Sequence, residues 1–267
     1  MATGGKARHS LGEALAKPDG DGQPGEPIDK NNNKIIIIFM KVFHYSKVSD
    51  WRDIAYKTET KKETGLRPGR RLGTKYMPAW NRAAIFALLS PIPKEWTNNE
   101  DFSEGKSPWE TLHRHVGKLL LEVDIDPCVV QVVDWGHREG FLRGANDNPD
   151  FRVPDQYAHK TRIEAEQAYL ESAISLQQYL DDHIRFSIPE VLIEHHVPMS
   201  QIRVSDDQSL LEEYLRTVHP DWIQGEIALM KFVPALAPLI KKIRNRLKSK
   251  MNLVKTKRSR RNFWVAD

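Results

Sequence analysis

The chain holds a single cysteine, Cys128, in 267 residues. One thiol excludes an intramolecular disulfide framework and any cysteine-rich zinc site, and it suits a reducing compartment. The histidines do not compensate. His113 and His115 stand two apart, His195 and His196 are adjacent and point to opposite faces of a strand, and no pair has His-x-x-x-His spacing. Zinc chemistry is therefore not expected. No Gly-x-x-x-x-Gly-Lys-[Ser/Thr] occurs, which removes a P-loop nucleotide site. Long hydrophobic runs are missing too. The first 33 residues contain no apolar stretch of the secretory kind, and the run 35–39, held between Lys34 and Lys41, is far too short to cross a bilayer. A soluble, cytoplasmic protein without a membrane span is the expectation.

Apolar residues make up 40% of the chain and seven are tryptophan, enough for a sizeable core. The net charge of +4 conceals an asymmetry. Residues 241–267 carry eleven Lys and Arg against one acid, so the rest of the chain is net negative. A dense basic segment neutralises phosphates and releases counterions, which marks Lys241, Lys242, Arg244, Arg246, Lys257, Arg258, Arg260 and Arg261 as candidate nucleic-acid contacts. A solvated terminal helix accounts for the same composition.

Three segments are expected. Residues 1–33, rich in Gly, Pro, Asp and Asn, read as a disordered tail. Residues 34–220 read as a folded α+β domain, and 221–267 as a basic helical extension. Within the domain, 34–45 is a strand and Ser49 opens a helix. Residues 79–90 are apolar and ambiguous between strand and helix. Ser107-Pro108-Trp109-Glu110 has the Ser cap, first-turn Pro and Glu of a helix start running to Val116. Strands are expected over 119–125, 129–133, 190–197 and 202–204, and helices over 155–183 and 210–218. The tail helix, 223–250, is expected to break at Pro234 and Pro238. This irregular mixture favours α+β, with two packed, largely antiparallel sheets and flanking helices, over a doubly wound parallel sheet.

Two stretches carry the functional signal. The first is an apolar strand ending in His44-Tyr45-Ser46, followed by a short helix and Gly65-Leu66-Arg67-Pro68. The second is Pro189-Glu190-Val191-Leu192-Ile193, running on to Val197-Pro198 and Ile202-Arg203-Val204. A titratable side chain at the end of a buried strand is costly unless a partner or a function uses it. Read alone, His44 fits a core histidine bonded to a carbonyl, and Glu190 fits a turn cap after Pro189.

In order and spacing the two stretches resemble the ADP-ribosyltransferase superfamily, in its His-Tyr-Glu-like class. That fold is shared by poly(ADP-ribose) polymerases, DNA-modifying bacterial toxins and tRNA 2′-phosphotransferases. The resemblance spans roughly residues 40–204 and implies an NAD-dependent enzyme that cleaves the nicotinamide–ribose bond and transfers ADP-ribose to an unknown acceptor, for which the basic tail favours nucleic acid or protein. It implies that Glu190 steadies the oxocarbenium-like sugar and that His44 orients the dinucleotide. It further implies a hydrogen bond from Ser46, pyrophosphate contact from the loop of Arg67 to Arg71, and a ring on the nicotinamide from Tyr76, with Trp80 as substitute. Tyr45 departs from the pattern, since many relatives have a small residue there.

Other readings stay open. A non-catalytic nucleic-acid-binding accessory protein of plasmid or phage type would use the basic tail alone. Asp124, Asp126 and Asp134 raise a metal-dependent nuclease, for which only Lys118 offers a lysine partner. Asp134-Trp-Gly-His137-Arg-Glu139 reads as a solvated turn around Gly136, with a substrate loop as the alternative.

Overall fold

The computed structural model describes residues 39–57, 63–71, 83–102, 106–144 and 153–262. Strand β1 (Met40–Ser46) leads through a 3₁₀ turn into helix α1 (Trp51–Ala55), and the short strands β2 (Gly65–Leu66) and β3 (Arg70–Arg71) precede β4 (Ala83–Ala87). Two short helices, α2 (Lys94–Thr97) and α3 (Pro108–Leu112), come before β5 (Leu119–Ile125), β6 (Gln131–Asp134) and helix α4 (Gly136–Gly144). Next are α5 (Arg162–Glu171), β7 (Ile174–Ser175), α6 (Leu176–Asp181), β8 (Pro189–Ile193), β9 (Val197–Pro198) and β10 (Ile202–Val204). Helices α7 (Ser209–Thr217), α8 (Pro220–Met230) and α9 (Ala237–Asn262) finish the described chain.

The strand pairs form sheets in the orders β1-β5-β10, β2-β9 and β3-β4-β8-β6-β7, and each is antiparallel. This is an α+β arrangement with antiparallel sheets. Strand β5 lies central in the first sheet, and its apolar run Leu119–Leu121 is fully covered. Glu122, on the same strand, accepts from Arg203 at 2.6 Å and lies 2.8 Å from Lys41 Nζ. Burial pulls its carboxyl upward, but the hydrogen bonds from Lys41, Ser205 and Arg203 outweigh that and hold it below the usual range. Strand β8 lies between β4 and β6 with all five residues buried. A strand covered on both faces reads as an unbroken apolar run, and an acid within it, Glu190, must be satisfied internally.

The helix starts follow their caps. Ser107 Oγ accepts from Glu110 N at 3.2 Å with Pro108 in the first turn, and Thr161 and Glu164 form a reciprocal capping box on α5. Elsewhere the expected boundaries move. Ser49 does not cap α1; its hydroxyl donates to Asp50 inside the 3₁₀ turn. The ambiguous apolar stretch is strand at Ala83–Ala87. The long helix expected over 155–183 is cut in two, because residues at 174–175 pair with β6 before Ser175 caps α6. The strand expected over 190–197 stops at Ile193 and resumes as β9. Pro238 lies in the first turn of α9, where a proline needs no hydrogen bond, so the chain breaks only around Pro234.

The C-terminal helices are not an appendage to the domain. Ile223, Ile227, Met230, Val233, Leu236, Ile240 and Ile243 recur at helical spacing and join the same buried cluster as Val42, Leu121 and Val123. Glu212 on α7 clamps α9 from the outside: it accepts from Lys242 at 2.9 Å, from Arg246 at 3.3 Å and from its own helix neighbour Arg216. Those hydrogen bonds, from Lys242 and Arg216 foremost, lower the Glu212 carboxyl to about 2. No helix among the described residues is long and apolar enough to cross a membrane.

The two sequence stretches meet at β2 and β9, where Gly65 faces Pro198 and Leu66 faces Val197. Gly65 has φ +130°, and a Cβ there would lie 2.0 Å from the Val197 carbonyl oxygen. Only glycine fits such a backbone beside so close a neighbour. Gly65→Ala is expected to lower stability by roughly 2–4 kcal/mol, read as a shift of the urea midpoint with unchanged slope. An unchanged midpoint would mean that the β2–β9 pair does not constrain this position.

Candidate active site

Phe43 and Leu88 exchange two backbone hydrogen bonds, at 2.9 and 2.8 Å, and so join β1 to the end of β4. This seam brings the first sheet against the end of β4 in the five-stranded one. Beside it lies a cavity of about 250 Å³. His44 and Glu190, separated by most of the domain in sequence, both line it. Its other walls include the rings of Tyr45, Trp109 and Trp135.

His44 Nδ1 lies 2.7 Å from the carbonyl oxygen of Phe86. A carbonyl only accepts, so Nδ1 carries the proton and a neutral ring presents Nε2 as an acceptor. Burial pushes the His44 pKa below its ordinary value, against smaller upward pulls from the Phe86 bond and Asp50. His44 is thus a carbonyl-bonded histidine, as the bland reading of the sequence had it, and it also walls a cavity.

Glu190 is buried, and its Oε2 accepts from the Tyr169 hydroxyl at 2.7 Å. Burial and the Glu190 charge raise the Tyr169 hydroxyl well above its ordinary value, so it stays a donor. The Arg138 guanidinium lies 4.1 Å from the Tyr169 ring centre and pairs with buried Glu166. The ring of Trp135 meets Tyr169 edge-on and stacks on Trp96, whose Nε1 donates to the Pro189 carbonyl at 3.1 Å. Glu190 is therefore fixed from both sides, by a ring on α5 and by the backbone of its own strand.

Asp134 sets where that strand begins. Its Oδ1 accepts from Gly136 N at 2.8 Å and Ile188 N at 3.0 Å, and its Oδ2 from the Tyr157 hydroxyl at 2.8 Å and Ser187 N at 3.2 Å. Tyr157 comes this close because Gly140 on α4 has no side chain; a Cβ there would lie 2.4 Å from the Tyr157 carbonyl oxygen. The segment 134–139 is accordingly no solvated turn. It holds a buried carboxylate and the start of α4. The signal was present in Asp-x-Gly ahead of a helix, an Asx-turn arrangement, but the three long-range donors have no local signature.

The other expected site residues distribute differently. Ser46 is buried opposite Leu119 and does not line the cavity. Arg67 is exposed, 4.0 Å from Glu63, and does not line it either. Tyr76 and Trp80 lie outside the described residues. Tyr45, the departure from the family pattern, turns one face to the cavity while its hydroxyl donates to the Pro91 carbonyl at 2.9 Å. Among the described residues no group of three or more His, Cys, Asp or Glu is placed to hold a metal ion. No protein-family model, curated protein or solved structure matches the chain. The chemistry of the cavity is therefore argued from its own residues.

Asp134→Ala is expected to destabilise the fold by roughly 3–5 kcal/mol, because it strands several buried donors at once; equilibrium urea unfolding reads this, and a loss below about 1 kcal/mol would contradict the hub role. His44 should titrate by NMR below about 6.5. Its folded-state pKa is depressed, so the unfolded chain binds more protons as pH falls below the ordinary histidine value. Stability is then lost from about pH 6.5 downward, and His44→Gln should flatten that part of the profile. A His44 midpoint at or above 6.5 would overturn the assignment.

Proposed function

We propose that the chain cleaves NAD at the nicotinamide–ribose bond and transfers the ADP-ribosyl group to an acceptor of the nucleic-acid or protein class. One observation carries this reading. His44 and Glu190, chosen from two remote sequence stretches, line a single aromatic-walled cavity, and the segments that follow them pair as β2 and β9. At about 250 Å³ the cavity falls below the roughly 300 Å³ at which pockets for whole drug-sized ligands begin. It suits the nicotinamide and its ribose, with the remaining dinucleotide outside.

The roles follow from the groups. Nicotinamide leaves with the electron pair of the glycosidic bond, and the ribosyl carbon gains positive charge. The Glu190 carboxylate, aimed by the Tyr169 hydroxyl, accepts from a ribose hydroxyl and stabilises that charge. Neutral His44, with Nδ1 committed to Phe86, offers Nε2 to a second hydroxyl. Tyr45, Trp109 and Trp135 supply flat apolar surface for the departing ring. The acceptor's lone pair then forms the new bond to the ribosyl carbon, and its proton passes to solvent.

The test is nicotinamide release from NAD by the purified protein, with and without nucleic acid or cell lysate. Glu190→Gln and His44→Ala are each expected to lower release by about 100-fold or more. Absence of release under every condition, together with no binding of NAD, would discard the transferase reading.

A further inference from the structure

We propose that one face of α9, together with Lys231, is a docking surface for the phosphodiester backbone of a nucleic acid, and that this face is only part of the basic segment. As far as Lys248, helix α9 divides its cations between two faces. Lys242 and Arg246 are bound to Glu212 and hold α9 against α7. Lys241, Arg244 and Lys248 stand three and four residues apart, so they share another face, and all three are exposed. With Lys231 from the end of α8 they ring a surface groove of about 440 Å³ floored by Val233, Pro234 and Ile240. Among the described residues no carboxylate pairs with any of these four.

Charge, spacing and shape argue for a polyanion. The three helix cations span about 10 Å along the axis, with Arg244 and Lys248 about 6 Å apart in rise, which suits successive phosphates of one strand. A membrane fits less well. A helix that lies in a bilayer surface needs a free apolar face, and that of α9 as far as Leu247 is already committed: Ile240 and Ile243 are buried in the core and Leu247 packs against it. The assignment moves Lys242 and Arg246 from the nucleic-acid contacts to the fold and adds Lys231, which lies ahead of the basic run. Lys257, Arg258, Arg260 and Arg261 fall in the last turns of α9, where the backbone alone is described.

The experiment is fluorescence-anisotropy titration of the full chain with a labelled oligonucleotide duplex and with its single strand, without NAD, at several salt concentrations. Its outcome does not depend on nicotinamide release, so this proposal and the transferase reading fail separately. Binding should weaken steeply with salt. Lys241→Gln/Arg244→Gln/Lys248→Gln should make the slope of log affinity against log salt shallower by about one for each cation removed, while Lys242→Gln leaves it unchanged. Thermal melting checks that each variant is folded, and the single substitutions replace the triple one if it is not. A wild-type slope in the groove variants, an equal loss in Lys242→Gln, or binding to anionic phosphatidylserine vesicles without binding to oligonucleotide would each overturn the proposal.

Discussion

The pair of backbone hydrogen bonds between Phe43 and Leu88 is the contact on which the rest of the site depends. Among the described residues it is a single bridge between two sheets whose strands otherwise pair among themselves. His44 follows immediately on one side, and its ring reaches over to the carbonyl of Phe86 on the other. The sheets therefore meet through a backbone bridge and a side-chain bond, and the cavity lies beside both. The strand residues fix one part of the cavity wall, and α3 with the turns at His115, Val116 and Trp135 completes it.

The acid on the opposite wall is held by a different logic. Strand β8 is buried along its whole length, so a carboxylate there needs donors. Tyr169 provides one directly, and Asp134 fixes the backbone two and three residues upstream. Buried polar groups joined in this way are stabilising only when every member is satisfied. The Asp134 carboxylate meets that condition through donors from α4, from the loop before α5 and from the entry to β8. The same carboxylate therefore ties three parts of the chain to the position of Glu190.

The legible part of the sequence was local. Ser107-Pro108 and its Glu and the apolar strand 119–125 declare themselves within a few residues, and the structure keeps them. His44 and Glu190 were visible because each is a titratable group in an apolar run. What could not be read was long-range. Nothing near Asp134 announces that Ser187, Ile188 and Tyr157 will converge on it. Nor does composition separate the two faces of α9, since the charge count is blind to Glu212. The helical stripe from Ile223 to Ile243 was readable in principle, but the density of lysine and arginine around it masked a core element as an extension. At 155–183 two pairing residues, Ile174 and Ser175, overrode good helical propensity, as tertiary context commonly does.

Most of the strand pairs share one more property, which bears on how the molecule is reached rather than on how it works. Met40 is paired with Ile125, Gly65 with Pro198 and Ile85 with Ile193. Each partner arrives long after its mate along the chain, and β8 must find both β4 and β6. High contact order of this kind slows folding, because chain entropy is lost before the distant contacts reward it. During synthesis β4 and β5 each emerge with one edge unpaired, and those edges stay so until the segment from β8 to β10 has been made. The order of the chain thus makes the nascent protein dependent on protection of those edges, a demand that the finished fold no longer shows.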